Sequence, residues 1–181
     1  MNLVLLIGEA VVILFELRSM MQSSPADYYH PFVQAIARIT QPVIGIMPFR
    51  QSHLRGFFYA GALVALIFAL VFWAVMLAVM NGGLAGSSIA FIPVLAVIMC
   101  VKCFGYLFLG LLLVEAITSW LPSTRGVSYL CAQITSPLVA PIQKIIPPIG
   151  MIDISLMLIM IALFALNGLM ARMLGALWLI F

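Results

Sequence analysis

The chain has 181 residues, of which 66% are apolar and only 7% charged, and its mean hydropathy is +1.28. A soluble domain carries about 25% charged residues, so the composition excludes that class and indicates a protein whose main solvent is lipid. The net charge of +3 includes no run of Lys or Arg, which argues against nucleic-acid binding.

Four apolar stretches approach or exceed the roughly 20 residues that an α-helix needs to cross a bilayer. They are residues 3–21, 57–80, 89–114 and 154–181. Helices are expected because lipid offers no partner to an exposed backbone amide, and none of the stretches alternates as a membrane β-strand does. The first is interpreted as a retained span and not as a signal peptide, because no basic residue precedes Arg18 and Glu9 interrupts the apolar run.

The connectors between these stretches differ in length and charge. The short one, 81–88, has no charged residue, whereas the two long ones, 22–56 and 115–153, hold most of the basic residues. Those residues are Arg38, Arg50, Arg55, Arg125 and Lys144. By the positive-inside rule both long connectors are predicted to be cytoplasmic, with the short connector and both termini on the outer side of the membrane.

Each long connector is predicted to contain a short helix. Apolar residues recur at helical intervals in both: Phe32, Ala35, Ile36, Ile39 and Val43 in the first, and Val127, Leu130, Ile134 and Leu138 in the second. Each helix could rest its apolar side among the lipid headgroups or pack on the spans as a cytoplasmic cap. The spacing favours neither reading.

An Ile-Thr-x-Pro element occurs in both connectors, at 39–42 and at 134–137. The order of span, connector and span therefore occurs twice, in units 1–88 and 89–181. Two spans per unit give both copies the same orientation, so the repeat is parallel. The predicted fold class is an all-α membrane protein with four transmembrane helices and short interfacial helices in the two connectors.

The second copy of the element continues into a proline-rich segment, 134–153. Its candidate functional or structural residues are Pro137, Pro141, Lys144, Pro147, Pro148 and Asp153. The prolines are predicted to prevent a continuous helix, because proline fixes φ and removes a hydrogen-bond donor. Asp153 precedes the last span, where its carboxylate could accept from the first free amides of the helix.

Ionisable residues inside the apolar stretches are candidate functional residues, because a charge at mid-bilayer costs about 2.5 to 3.5 kcal/mol even on insertion scales. Glu9 and Lys102 are predicted to form an ion pair between the first and third spans, either as a structural clasp or as part of a proton or ion relay. Glu16, Arg18 and Glu115 are predicted to form an interfacial network near the cytoplasmic ends of the same spans.

Small residues mark one face of two spans. They are Gly61, Ala65 and Ala69 in the second span, and Ala162, Ala165, Gly168, Ala171 and Gly175 in the fourth. Such faces let helices approach closely. They could pack within the chain or hold a partner helix, and the sequence leaves both open.

The pair Cys100 and Cys103 spells C-x-x-C within the third stretch. A reactive dithiol or metal site needs accessible thiolates, which the centre of a span disfavours. His30 and His53 lie at another depth, in a connector, so a zinc site is not expected. The cysteines are interpreted as small core residues, and no cofactor is predicted.

Several segments together carry a resemblance to a known family. They are 18–22 (RSMMQ), 26–32 (ADYYHPF), 39–45 (ITQPVIG), Ser119-Trp120 and the proline-rich segment 134–153. In these the chain resembles the YggT family of small integral membrane proteins. The resemblance implies a four-span bacterial inner-membrane protein, from a family linked to osmotic-stress tolerance, envelope or division organisation and assembly of membrane complexes.

The first unit departs from this pattern. In an ungapped register Ser52 stands opposite Pro147 and Phe58 opposite Asp153. The arginine expected near the start of the second unit is also missing there, in the region of Glu115 and Ala116. A function of the proline-rich element would therefore belong to the second copy.

The sequence shows no Gly-rich phosphate cradle, no paired catalytic carboxylates and no nucleophile beside a base, so no enzymatic activity is predicted. The leading hypothesis is an assembly, scaffold or envelope and osmotic-stress factor that acts through protein partners. The alternative is an ion or osmolyte transporter or channel component, which with four spans would need several copies. The expected partners are membrane lipids, other membrane proteins and further copies of the chain.

Overall fold

The structure is a computed structural model that describes residues 2–26, 29–46, 53–54, 57–80, 89–120, 124–144 and 154–179. Its elements are α1 (Asn2–Ser23), α2 (Pro31–Ile46), β1 (His53–Leu54), β2 (Phe57–Phe58), α3 (Ala60–Met80), α4 (Ile92–Trp120), α5 (Arg125–Gln143), α6 (Ile154–Leu174) and α7 (Ala176–Leu179). β1 and β2 pair antiparallel. Apart from this two-residue ladder the described regular structure is helical, as predicted.

Three of these helices, α3, α4 and α6, are long and apolar enough to cross a membrane. These helices support the membrane class and match three of the four predicted spans in length and composition. α1 has 22 residues and carries the charged residues Glu9, Glu16 and Arg18. A crossing by α1, and the tandem duplication of the two halves, stay predictions.

At three places the helices begin or end at residues other than those predicted for the spans. The second span begins at Ala60, because Phe57 and Phe58 form β2 and Phe58 N–H donates to Ser23 Oγ at the end of α1, 2.9 Å away. The third runs on to Trp120, which places Glu115 inside the helix. The fourth ends at Leu174, because Gly175 adopts a positive φ of 53° and turns the chain into α7.

The predicted interruption of the helix by Pro137 and Pro141 is wrong. α5 runs through both, because a proline removes only one backbone hydrogen bond and can be accommodated with a local adjustment. Proline has no N–H, so Pro137 donates no hydrogen bond to Gln133 O, four residues earlier. Gln133 O accepts instead from the hydroxyl of Ser136 at 2.8 Å. Pro147, Pro148 and Asp153 lie outside the described residues.

The helices enclose two hydrophobic clusters. The first joins α1, α3 and the first half of α4 around Val12, Ala65 and Met99. The second joins the end of α1, the second half of α4, α5 and the first turns of α6 around Met21 and Ile134. α1 and α4 contribute to both clusters and connect the two halves of the chain.

Candidate functional site

The threonines of the two Ile-Thr-x-Pro elements, Thr40 and Thr135, are both 0% exposed. Thr40 Oγ1 donates to Ile36 O within its own helix at 2.7 Å. Thr135 Oγ1 lies 3.0 Å from Cys131 O and also 3.0 Å from Glu115 Oε2 of α4. The threonine hydroxyl of the motif therefore bonds within its own helix in α2, whereas in α5 it also contacts a carboxylate of α4.

The end of α4 receives the start of α5 through further contacts. Thr124 Oγ1 donates to Thr118 O at 3.1 Å, and Ser128 Oγ donates to Glu115 O at 3.3 Å. α5 therefore folds back along the last turns of α4. The extension of α4 beyond residue 114 supplies these acceptors.

The predicted network residues Glu16, Arg18 and Glu115 are all buried. Arg18 Nη2 donates to Gln41 Oε1 of α2 at 3.4 Å, whereas Glu115 accepts from α5. Glu16 Oε2 accepts no hydrogen bond from the residues that the structure describes. Direct contact among the three stays a prediction.

Lys102 lies against the C-terminal turn. Its Nζ donates to Trp178 O at 2.8 Å and stands 5.7 Å from the ring of Tyr106 and 5.5 Å from that of Trp178, within cation–π range. The indole Nε1 of Trp178 donates to Asn167 Oδ1 of α6 at 2.9 Å. Lys102, Tyr106, Asn167 and Trp178 border a cavity of about 200 Å³.

The predicted pairing of Lys102 with Glu9 requires α1 and α4 to meet at this level. They do: Cys103 Sγ lies 3.9 Å from Glu9 O. The pairing of carboxylate and ammonium itself stays a prediction. Sequence reasoning missed Asn167 and Trp178, although a polar amide in the fourth apolar stretch was a signal.

The two small-residue faces have different surroundings. On α3, Ala65 and Ala69 are buried, and a Cβ at Gly61 would lie 2.6 Å from Phe15 O of α1. On α6, a Cβ at Gly168 would have nothing within 4 Å. Ala162 and Ala165 are exposed and Ala171 is half-buried, and Gly175 is the turn residue after α6, so it does not continue the helix face.

The cysteines Cys100, Cys103 and Cys131 are free thiols. Among the described residues no group of three or more His, Cys, Asp or Glu side chains could hold a metal ion. Burial, with a smaller contribution from Glu115, raises the pKa of Cys131 to about 11, so this thiol is protonated near neutral pH.

Comparison with known proteins gives consistent matches. The CCB3/YggT family model matches residues 94–174. A protein from the proC 3′ region of Vibrio alginolyticus is 34% identical over 163 residues, 90% of this chain and 88% of the relative. YggT of Escherichia coli K12 is 31% identical over 164 residues, 88% of this chain and 82% of the relative.

A protein of Haemophilus influenzae is 30% identical over 175 residues, 91% of this chain and 87% of the relative. These relatives are described as uncharacterised, so their names assign no activity. No solved structure matches the chain. Because the similarity to YggT extends over most of both sequences, the chain belongs to the YggT family.

Proposed function

We propose that this protein is a non-enzymatic assembly or scaffold factor of the bacterial inner membrane, which acts by binding other membrane proteins. It crosses the membrane four times, with both termini in the periplasm and α2 and α5 on the cytoplasmic side. A role in envelope organisation or osmotic-stress tolerance would follow from the complexes that it supports.

The observation that carries this proposal is the open face of α6. Beyond Ser155, Leu156 and Ile159, its residues are exposed or half-buried. Ala162, Ala165 and Gly168 therefore offer a narrow surface that no described part of the chain covers. In lipid, small residues at such spacing let a second helix approach closely and associate through van der Waals packing.

Mild crosslinking in native membranes, followed by purification, tests this surface. The proposal expects a stoichiometric complex with other membrane proteins, and expects Gly168→Leu to disrupt it. Gly126→Leu, on α5, is the matched control because its Cβ would also have nothing within 4 Å. A complex that survives Gly168→Leu unchanged, or a homo-oligomer without other proteins, contradicts the proposal.

A second candidate is an ion or osmolyte transporter or channel component. The observation that favours it is Glu16, which is only 6% exposed and whose Oε2 accepts no hydrogen bond from the described residues. A buried polar group of this kind is costly and is often retained for function. Several copies would be needed to line a pore.

Flux through proteoliposomes decides between the two candidates. Ion or osmolyte flux that Glu16→Gln abolishes, without loss of folded protein, would favour transport. Silent liposomes, together with a native complex that depends on Gly168, would favour assembly.

A further inference from the structure

The cavity of about 200 Å³ that Lys102 borders lies between α4, α6 and the C-terminal turn. Leu109, Leu163 and Met170 belong to its mostly apolar lining. Its volume is below the about 300 to 1,000 Å³ of sites that hold a drug-sized molecule. The cavity therefore suits a single ring or a group of similar size, with the rest of the ligand outside.

The polar groups of this cavity include more donors than acceptors. Trp178 Nε1 can only donate, so the Asn167 atom that accepts from it at 2.9 Å is the oxygen, and Asn167 Nδ2 keeps both amide protons. Among the residues that the structure describes, neither this Nδ2 nor the hydroxyl of Tyr106 has a hydrogen-bond partner. Lys102 Nζ, beside them, donates to Trp178 O at 2.8 Å. A ligand with acceptor oxygens complements this set.

The cavity lies near the centre of the apolar part of α4. At 1.5 Å per residue Lys102 is about 15 Å along the helix from Ile92 and about 18 Å from Val114. The hydrocarbon core of a bilayer is about 30 Å thick, so a spanning α4 places Lys102 close to mid-bilayer. A phosphate or carboxylate headgroup stays at the interface, because a charge at this depth is costly. The ligand is therefore uncharged as well as oxygen-bearing.

A molecule dissolved in the bilayer can reach this cavity. Val101, Tyr106 and Phe164 on its border are exposed, and α4 and α6 are both long and apolar enough to cross a membrane. The rings of Tyr106 and Trp178 also border the cavity. Aromatic side chains pack well against a flat ring, in offset-stacked or edge-to-face arrangements.

We propose that this cavity binds the head of an isoprenoid quinone, an uncharged and lipid-soluble molecule whose flat ring bears two carbonyl oxygens. The carbonyl oxygens accept from Asn167 Nδ2 and from the Tyr106 hydroxyl, and the isoprenoid tail extends into the lipid. The quinone is held as a ligand, and its redox state is unchanged. The small-residue face of α6 does not line this cavity, so the site is separate from the surface proposed to bind partner proteins.

Photolabelling of the full chain in phosphatidylcholine nanodiscs tests the site. The probe is decylubiquinone with an azide on its ring. After illumination, peptides covering 101–109 and 163–170 should carry most of the label, and an excess of unmodified decylubiquinone should displace it. Hexadecane, which has no acceptor, and dioleoylglycerol, which has oxygens but no ring, should not displace it. Label spread evenly along α3 and α6, or equal displacement by either competitor, overturns the proposal.

Gly105 and Gly110 provide a matched pair of variants on α4. Both have nothing within 4 Å of an added Cβ, so a leucine can be accommodated at either position. Gly105 borders this cavity, whereas Gly110 lines a different one, between α4 and α5. We expect Gly105→Leu to reduce the displaceable label about tenfold, the change that about 1.4 kcal/mol of binding free energy produces. Gly110→Leu should label as the wild type does, and equal labelling of the two variants contradicts the site.

The hydrogen bonds to the quinone have their own test. Tyr106→Phe keeps the ring and removes the hydroxyl, so it should weaken binding of decylubiquinone about fivefold, the change that about 1 kcal/mol for one hydrogen bond produces. Saturable quenching of tryptophan fluorescence in the same nanodiscs measures the dissociation constant, because Trp178 borders the cavity. Tyr129→Phe, at an exposed tyrosine of α5 outside the cavity, is the control and should bind as the wild type does. Equal affinity of the two variants overturns the carbonyl contacts on which the quinone assignment rests.

Discussion

In the first half of the chain the two long helices, α1 and α3, pack tightly and the connector helix α2 is partly exposed. In the second half the connector helix α5 packs on α4, and the long helix α6 is largely exposed. α1 and α3 meet at Gly61, where there is no room for a Cβ. α5 is joined to α4 through Thr135 and Glu115, while α6 is largely exposed beyond its first turns. Halves with the same order of helices thus use their apolar faces differently.

The connector helices show the physical reason for this difference. On α2 an apolar stripe stays exposed, with Ile39 60% and Ile46 84% exposed, while Gln34 and Arg38 occupy another side of the helix. On α5 the centre of the corresponding apolar side, Leu130 and Ile134, is buried, while Val127 and Leu138 at its two ends are exposed. α4 extends far enough to receive α5, whereas α1 ends at Ser23 and leaves the stripe of α2 for the membrane interface or a partner.

The largest effect is expected from adding a side chain to the tight helix pair of the first half. Gly61→Leu should strongly reduce the amount of folded protein, because its Cβ would meet the backbone oxygen of Phe15, which cannot rotate away. Overpacking typically costs about 1 to 3 kcal/mol and sometimes more. Membrane levels and melting temperature in detergent measure it. Gly168→Leu should fold normally, and equal behaviour of the two variants would contradict the comparison.

Charge exchange tests the contact between the halves. Glu9→Lys and Lys102→Glu should each reduce the amount of protein in the membrane several-fold, because each leaves two like charges where the cost of one is about 2.5 to 3.5 kcal/mol. The double exchange should recover part of the loss. Recovery would be incomplete, because Trp178 O loses its donor from position 102.

Lys102→Met separates that second contact from the ion pair. It keeps an apolar stem of similar length and removes the donor to Trp178 O, so it should expose the C-terminal turn to protease. A double exchange no better than either single reversal would show that Glu9 and Lys102 do not pair directly.

Much of the helical architecture could be predicted from periodicity and length. The three apolar helices and both connector helices were found in this way, because hydrophobic spacing is local information. The helix through Pro137 does not follow from the missing N–H and the fixed φ of proline, because the hydroxyl of Ser136 donates to the carbonyl that Pro137 leaves without a donor. Such a hydrogen bond depends on the conformation of the serine side chain, which the sequence does not specify.

The candidate sites depended on longer-range features. Lys102 was recognised as an unusual residue, but its acceptor, Trp178 O, is set by the turn at Gly175. Thr135 and Thr40 occupy equivalent motifs, and only the unpredicted extension of α4 gives Thr135 a carboxylate partner. Sequence spacing locates such residues on a helix and does not determine which neighbouring helix they will meet.

The two threonines give a smaller and more specific test of the comparison. Thr135→Val should lower the free energy of unfolding by about 1.5 to 3 kcal/mol, because it removes a buried hydrogen bond to Glu115 that is charge-assisted when this carboxyl is ionised. Thr40→Val should cost less than about 1 kcal/mol, because among the described residues its hydroxyl bonds within its own helix. Denaturant unfolding in mild detergent measures both, and equal losses would mean that the contact with Glu115 adds no stability.

The smallest change in stability is expected on the uncovered stripe of α2. Ile39→Gln should alter the free energy of unfolding by less than about 0.5 kcal/mol, because exposed positions contribute little to packing. The buried Ile134 of α5 is the matched control, and its replacement by Gln should cost about 1 to 3 kcal/mol for the unpaired amide alone.

If the stripe lies in the headgroup region, an environment-sensitive dye on Ile46→Cys should be quenched by brominated lipid, and Ile39→Gln should weaken that quenching. A dye that remains in water would show that the bilayer does not cover the stripe of α2.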